Sequence, residues 1–88
     1  MEHSQQSELT SKLTRAAEKV TVGAQYIHYK QLTYKVLTLA LREEDCEPCV
    51  VYQAEYGEKL VWTRLLSSWL STVEVDGKNV PRFQKLEE

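Results

Sequence analysis

Residues 49–64 read CVVYQAEYGEKLVWTR. Two runs rich in β-branched and aromatic residues, Cys49–Tyr56 and Leu60–Arg64, flank Gly57-Glu58-Lys59, which is the pattern of a β-hairpin. Side chains alternate along a strand, so the pairing register decides which of them share a face. With the three central residues as the loop, Tyr56 faces Leu60, Ala54 faces Trp62 and Tyr52 faces Arg64. Tyr52, Tyr56, Trp62 and Arg64 then project together. A two-residue loop slips the pairing by one and sets Arg64 opposite Gln53.

Upstream of the hairpin, Cys46-Glu47-Pro48-Cys49 raises the question of redox or metal chemistry. A thioredoxin-like dithiol places its first cysteine at a helix N-terminus, where backbone N–H groups lower the thiol pKa. Here Val50, Val51 and Tyr52 follow, and these belong to a strand. Structural zinc needs four ligands, and this chain has no second cysteine pair. Pro48 and the acidic residues Glu43, Glu44, Asp45 and Glu47 indicate a turn. No metal and no cofactor is expected.

Further strands are predicted at Tyr26–Lys30, Tyr34–Arg42 and Val80–Lys85, and Asp76-Gly77 marks another tight turn after Thr72–Val75. Leu65–Leu70 is long enough for one helical turn. Pro81 suits a strand start or a sheet edge. The run Val36-Leu37-Thr38-Leu39-Ala40-Leu41 is apolar on both faces, which predicts cover on both sides. One face then looks into the core and the other receives a helix. That helix is predicted over residues 8–22, on the stripe Leu9, Leu13, Ala16, Ala17 and Val20, with Ser7 as N-cap and Gly23 as stop. Residues 1–7 are expected to be a disordered tail. The fold class is mainly β: a small SH3-like barrel or roll of about five antiparallel strands over residues 24–88, with an N-terminal helix.

Composition narrows the function classes. The chain has 88 residues, 42% hydrophobic and 27% charged, which allows one small globular domain. A net charge of −2 argues against a protein built to coat nucleic acid. No apolar run is long enough to span a bilayer, and the polar N-terminus has no secretory pattern. The expectation is a cytoplasmic protein with no membrane partner.

Five short strings carry a resemblance: HYK at His28–Lys30, VVYQ at Val50–Gln53, YG at Tyr56–Gly57, W-x-R at Trp62–Arg64 and VPRF at Val80–Phe83. In this order and spacing they resemble the bacterial domain-of-unknown-function family 1653 over about residues 25–84. The resemblance implies an SH3-like barrel and supplies no activity. Four positions depart from the family pattern. Gln31 stands where it has Gly, Leu65 where it has Pro, Arg42 where it has His, and Cys49 where it has an aliphatic residue.

The candidate site is the set Tyr52, Tyr56, Trp62 and Arg64. An arginine among aromatic rings can stack, or fork onto a carboxylate or phosphate. Against this stands the reading in which Trp62 and the tyrosines form the core, with Arg64 laid over them. His28 lacks a nucleophile paired with it, so catalysis is not expected. The functional expectation is a non-enzymatic binding module for a peptide or partner protein. Stacking of single-stranded nucleic acid or a nucleotide on the same rings is the alternative, and an accessory enzyme comes last.

Overall fold

The structure, a computed structural model, describes residues 6–87. Helix α1 spans Gln6–Lys19, followed by β1 (Gln25–His28), β2 (Thr33–Leu41), β3 (Pro48–Ala54) and β4 (Val61–Leu65). One helical turn, α2 (Leu66–Trp69), leads to β5 (Thr72–Val75), β6 (Lys78–Pro81) and β7 (Phe83–Lys85). The fold is mainly β. Five strands form an antiparallel sheet in the order β4-β3-β2-β1-β7, and β5 and β6 form a separate ribbon. The sheet leaves β4 and β7 as free edges, so the described residues make an open roll and not a closed barrel. No helix among them is long and apolar enough to cross a membrane.

The expected strand Val80–Lys85 is in fact two strands in different sheets. The break is Arg82, whose N–H donates to Ser71 O while its carbonyl accepts from Tyr29 N–H. Those two bonds pull the chain from the ribbon to the free side of β1. Helix α1 already includes Gln6 and Ser7, so Ser7 is not its N-cap, and the rest of the expected tail lies outside the described residues.

The apolar run in β2 does not have two covered faces. Val36 pairs with Tyr52 but Thr38 pairs with Val51, so Leu37 is an extra residue in the ladder. Such a bulge shifts the alternation by one. Leu39 therefore lies opposite Val50 and on the same face as Val36, whereas a regular ladder would have turned it outward. Val20, just past α1, belongs to the same buried cluster as Val36 and Val50. The residue leading out of α1 thus packs on the concave core face.

That concave face holds the core. Tyr26, Tyr34, Tyr52 and Phe83 project from four strands, and Trp69 from α2 plugs them. Trp69 stacks on Phe83 with centroids 3.7 Å apart, and meets Tyr26 and Tyr52 edge-on at 5.3 and 5.0 Å. Edge-to-face and offset pairs at these distances add to plain area burial. Trp69 is 2% exposed.

The CEPC stretch is the β2–β3 turn and the start of β3. Arg42 N–H donates to Glu47 O and Cys46 N–H to Arg42 O, while the Arg42 guanidinium forks onto the Asp45 carboxylate. Cys46 takes φ 59° to close the turn. Cys49 sits on the strand opposite Ala40, and burial pushes its thiol pKa up. A nucleophilic cysteine needs the opposite shift.

Candidate functional site

The β3–β4 register controls the geometry of the site. Tyr52 pairs with Trp62 and Val50 with Arg64, two residues away from the predicted alignment. The loop is longer than the three residues expected, because Glu55 N–H leaves the hairpin and donates to Thr33 O. Gly57 and Lys59 both take positive φ, 57° and 56°, and Lys59 N–H closes the turn onto Tyr56 O. A slip of two preserves parity, so Tyr52, Trp62 and Arg64 still share one face.

They share it at different depths. Trp62, on the free edge of the sheet, is 50% exposed, while Tyr52 directly opposite is 6% exposed. Tyr52 therefore belongs to the floor beneath the site, because Trp69 and Phe83 pack over its ring. The tryptophan in the core is Trp69. Tyr56 lies in the loop beyond β3, 42% exposed, and its hydroxyl bonds Tyr34 Oη at 2.7 Å. Burial first, then that hydrogen bond, holds the Tyr34 phenol up at about 12. Tyr56, Leu60 and Trp62, with Ala54, Gly57 and Glu58, line a cavity of about 120 Å³.

Arg64 is held on the same face, and it is half-buried. Its guanidinium carbon lies 5.6 Å from the Phe83 ring centroid, and Nη1 donates to Ser68 Oγ at 2.8 Å. The His28 ring meets Phe83 at 4.9 Å and Tyr34 at 6.4 Å, both edge-on. Desolvation lowers the His28 pKa, and the charges of Arg64, Arg82 and Lys30 lower it further. Its Nδ1 accepts from Lys30 N–H. Arg82 Nε donates to Ser71 Oγ at 2.9 Å, and Ser71 Oγ donates in turn to Ser68 O.

The structure thus brings together Trp62 and Tyr56 as exposed rings, Tyr52 as their support and Arg64 beside them. Sequence reasoning alone does not assign Tyr34, His28 or Arg82 to the site. The strings HYK and VPRF contain two of these and were the available signal. Nothing local joins them to W-x-R, since the contact is made through Phe83.

Comparison with known proteins agrees with this architecture. The family described as protein of unknown function, DUF1653, matches residues 24–85. The chain belongs to the DUF1653 family. A crystal structure of a DUF1653 protein from Bordetella bronchiseptica is similar at 34% identity, with a TM-score of 0.68, over 77% of this chain and 90% of that one. The search of curated proteins found no match. Within this family member, Gln31 occupies φ 72°, the left-handed region that a glycine enters without strain. Leu65 has φ −56°, near the value a proline imposes. Both departures from the family strings therefore keep the backbone that the replaced residue favours. Helix α1 lies outside the family match.

Proposed function

We infer that this DUF1653 domain is a non-catalytic binding module that adds an extended segment of a partner protein to the free edge of β4. The observation that carries this reading is an unprotected strand edge beside an exposed indole. Ala54 N–H donates to Leu60 O, so residues 60, 62 and 64 turn their backbone groups toward β3. In an antiparallel ladder, Val61 and Thr63 then turn theirs outward. Edge strands in soluble proteins are usually blunted by charge, proline or a cover. Here Leu60, Val61 and Trp62 are all about half exposed, and no charge or proline occurs on the edge before Arg64.

Strand addition obtains affinity from main-chain hydrogen bonds and specificity from pockets for alternate side chains. The cavity between Tyr56, Leu60 and Trp62 accepts one apolar side chain. Arg64, two residues along the same face, suits an acidic neighbour. Tyr52 acts as backing without direct contact.

An amide-shift titration against peptide pools tests this. Binding is expected to move Val61, Trp62 and Thr63 most, and Thr63→Pro, which removes an outward N–H, is expected to abolish it. Shifts that avoid β4 for every peptide that binds overturn the reading. Binding of oligonucleotides that moves Tyr56 and Trp62 and weakens steeply with salt replaces it with base stacking.

A further inference from the structure

We propose that His28, Arg64 and Arg82 form a second site, which binds a phosphate group. The proposal shares Arg64 with the β4 reading but needs no strand added at that edge. Three strands and a loop converge on it: His28 ends β1, Arg64 lies on β4, Arg82 separates β6 from β7, and Phe83 of β7 carries both the His28 ring and the Arg64 guanidinium. The two guanidinium groups are set by neighbouring hydroxyls of one turn, Arg64 by Ser68 and Arg82 by Ser71, and those serines are themselves linked. Such anchoring fixes donor direction before a ligand arrives.

The site is a concentration of positive charge with no counter-charge among the described residues. The ion pairs among the described residues fall on Arg42, and no carboxylate pairs with Arg64 or Arg82. The charged groups acting on His28, namely Arg64, Arg82 and Lys30, are all cationic. In a chain of net charge −2, a cluster of this kind needs an explanation. The second observation is Arg64 Nε, which is buried and has no hydrogen-bond partner among the described residues. A guanidinium held with one buried N–H unsatisfied is costly, and charge-assisted bonds from its remaining nitrogens to an anion offset that cost.

Donor number points to phosphate over carboxylate. Arg64 keeps Nη2 beyond its bond to Ser68, Arg82 uses only its own Nε internally and keeps its terminal nitrogens, and His28 accepts at Nδ1, which leaves the proton of its neutral ring on Nε2. Donors from three residues match the three terminal oxygens of a phosphate better than the two of a carboxylate.

The test is NMR of the His28 imidazole in the full chain, titrated with inorganic phosphate at constant ionic strength. The expected result is a saturable shift and a rise in the His28 pKa as a dianion offsets its cationic neighbours. Arg82→Gln and Arg64→Gln are each expected to weaken phosphate at least about tenfold. Should Arg64→Gln unfold the domain, Arg64→Lys and Arg82→Gln decide, because each keeps the Phe83 core. Trp62→Ala is expected to leave phosphate binding unchanged, which separates this site from the β4 edge. The proposal is overturned by the absence of a saturable shift, by equal shifts with acetate, or by full affinity in Arg82→Gln.

Discussion

Tyr52 and Trp62 stand directly opposite each other across the β3–β4 ladder, yet one ring is in the core and the other is half in solvent. The difference comes from position in the sheet. Tyr52 lies on an inner strand beneath Trp69 and Phe83, whereas Trp62 lies on the outermost strand, where the concave face runs out. The two tryptophans are therefore expected to respond oppositely to truncation. Trp69→Ala removes the plug that touches three rings and is expected to cost about 3–5 kcal/mol, enough to unfold much of a domain this small. Trp62→Ala is expected to cost less than about 1 kcal/mol and to leave the urea midpoint nearly unchanged. Equal losses from the two would place Trp62 in the core.

The family match starts at residue 24, but Val20 is 1% exposed inside the main cluster. Ala16, within α1, is also 1% exposed, so the helix and the segment after it pack against the sheet. Val20→Ala, which strips two buried methyl groups, is expected to lower stability by about 2 kcal/mol in urea unfolding. A change within about 0.5 kcal/mol would mean that the helix does not dock as described.

Gln31 is held at φ 72°, in the turn where its N–H donates to His28 O. A side chain in that region is strained by about 1–2 kcal/mol, and glycine avoids this at some entropic cost. Gln31→Gly is therefore expected to stabilise the domain by about 0.5 kcal/mol, and Gln31→Val to destabilise it by more than that. Thermal unfolding of the pair reads the sign.

His28 supplies a pH dependence. Its folded-state pKa lies below the ordinary 6.5 because burial and then Arg64, Arg82 and Lys30 disfavour the imidazolium. Above 6.5 the ring is neutral in both folded and unfolded chains, and nothing is lost. As pH falls below 6.5 the unfolded chain takes up the proton first, so stability declines until the folded-state pKa is passed. Urea midpoints measured between pH 7.5 and pH 5 are expected to fall, and His28→Gln is expected to flatten that slope by the His28 share. An unchanged slope in the variant would assign the loss to other groups.

Much of the local architecture was legible in the residues themselves. The Gly57 and Asp76-Gly77 turns, the alternating runs on either side of them, the acidic Glu43–Pro48 turn and the α1 stripe all depend on neighbours a few positions apart. Such patterns survive in one dimension because strand and helix periods and turn chemistry are local. The shared face of Tyr52, Trp62 and Arg64 followed from the same alternation, and it survived a register error because the slip was an even number of residues.

The sequence alone determined where the strands and turns lie and which side chains alternate together. Only the tertiary structure decided depth and convergence: that Leu37 bulges and returns Leu39 to the core face, that Trp69 is buried and Trp62 is not, and that His28 and Arg64 meet at Phe83 while Arg82 reaches Arg64 through Ser71 and Ser68. Burial and charge clustering depend on what approaches from distant parts of the chain. The segment that reaches across is β7, which follows the other four strands and the β5–β6 ribbon in the chain yet pairs with β1.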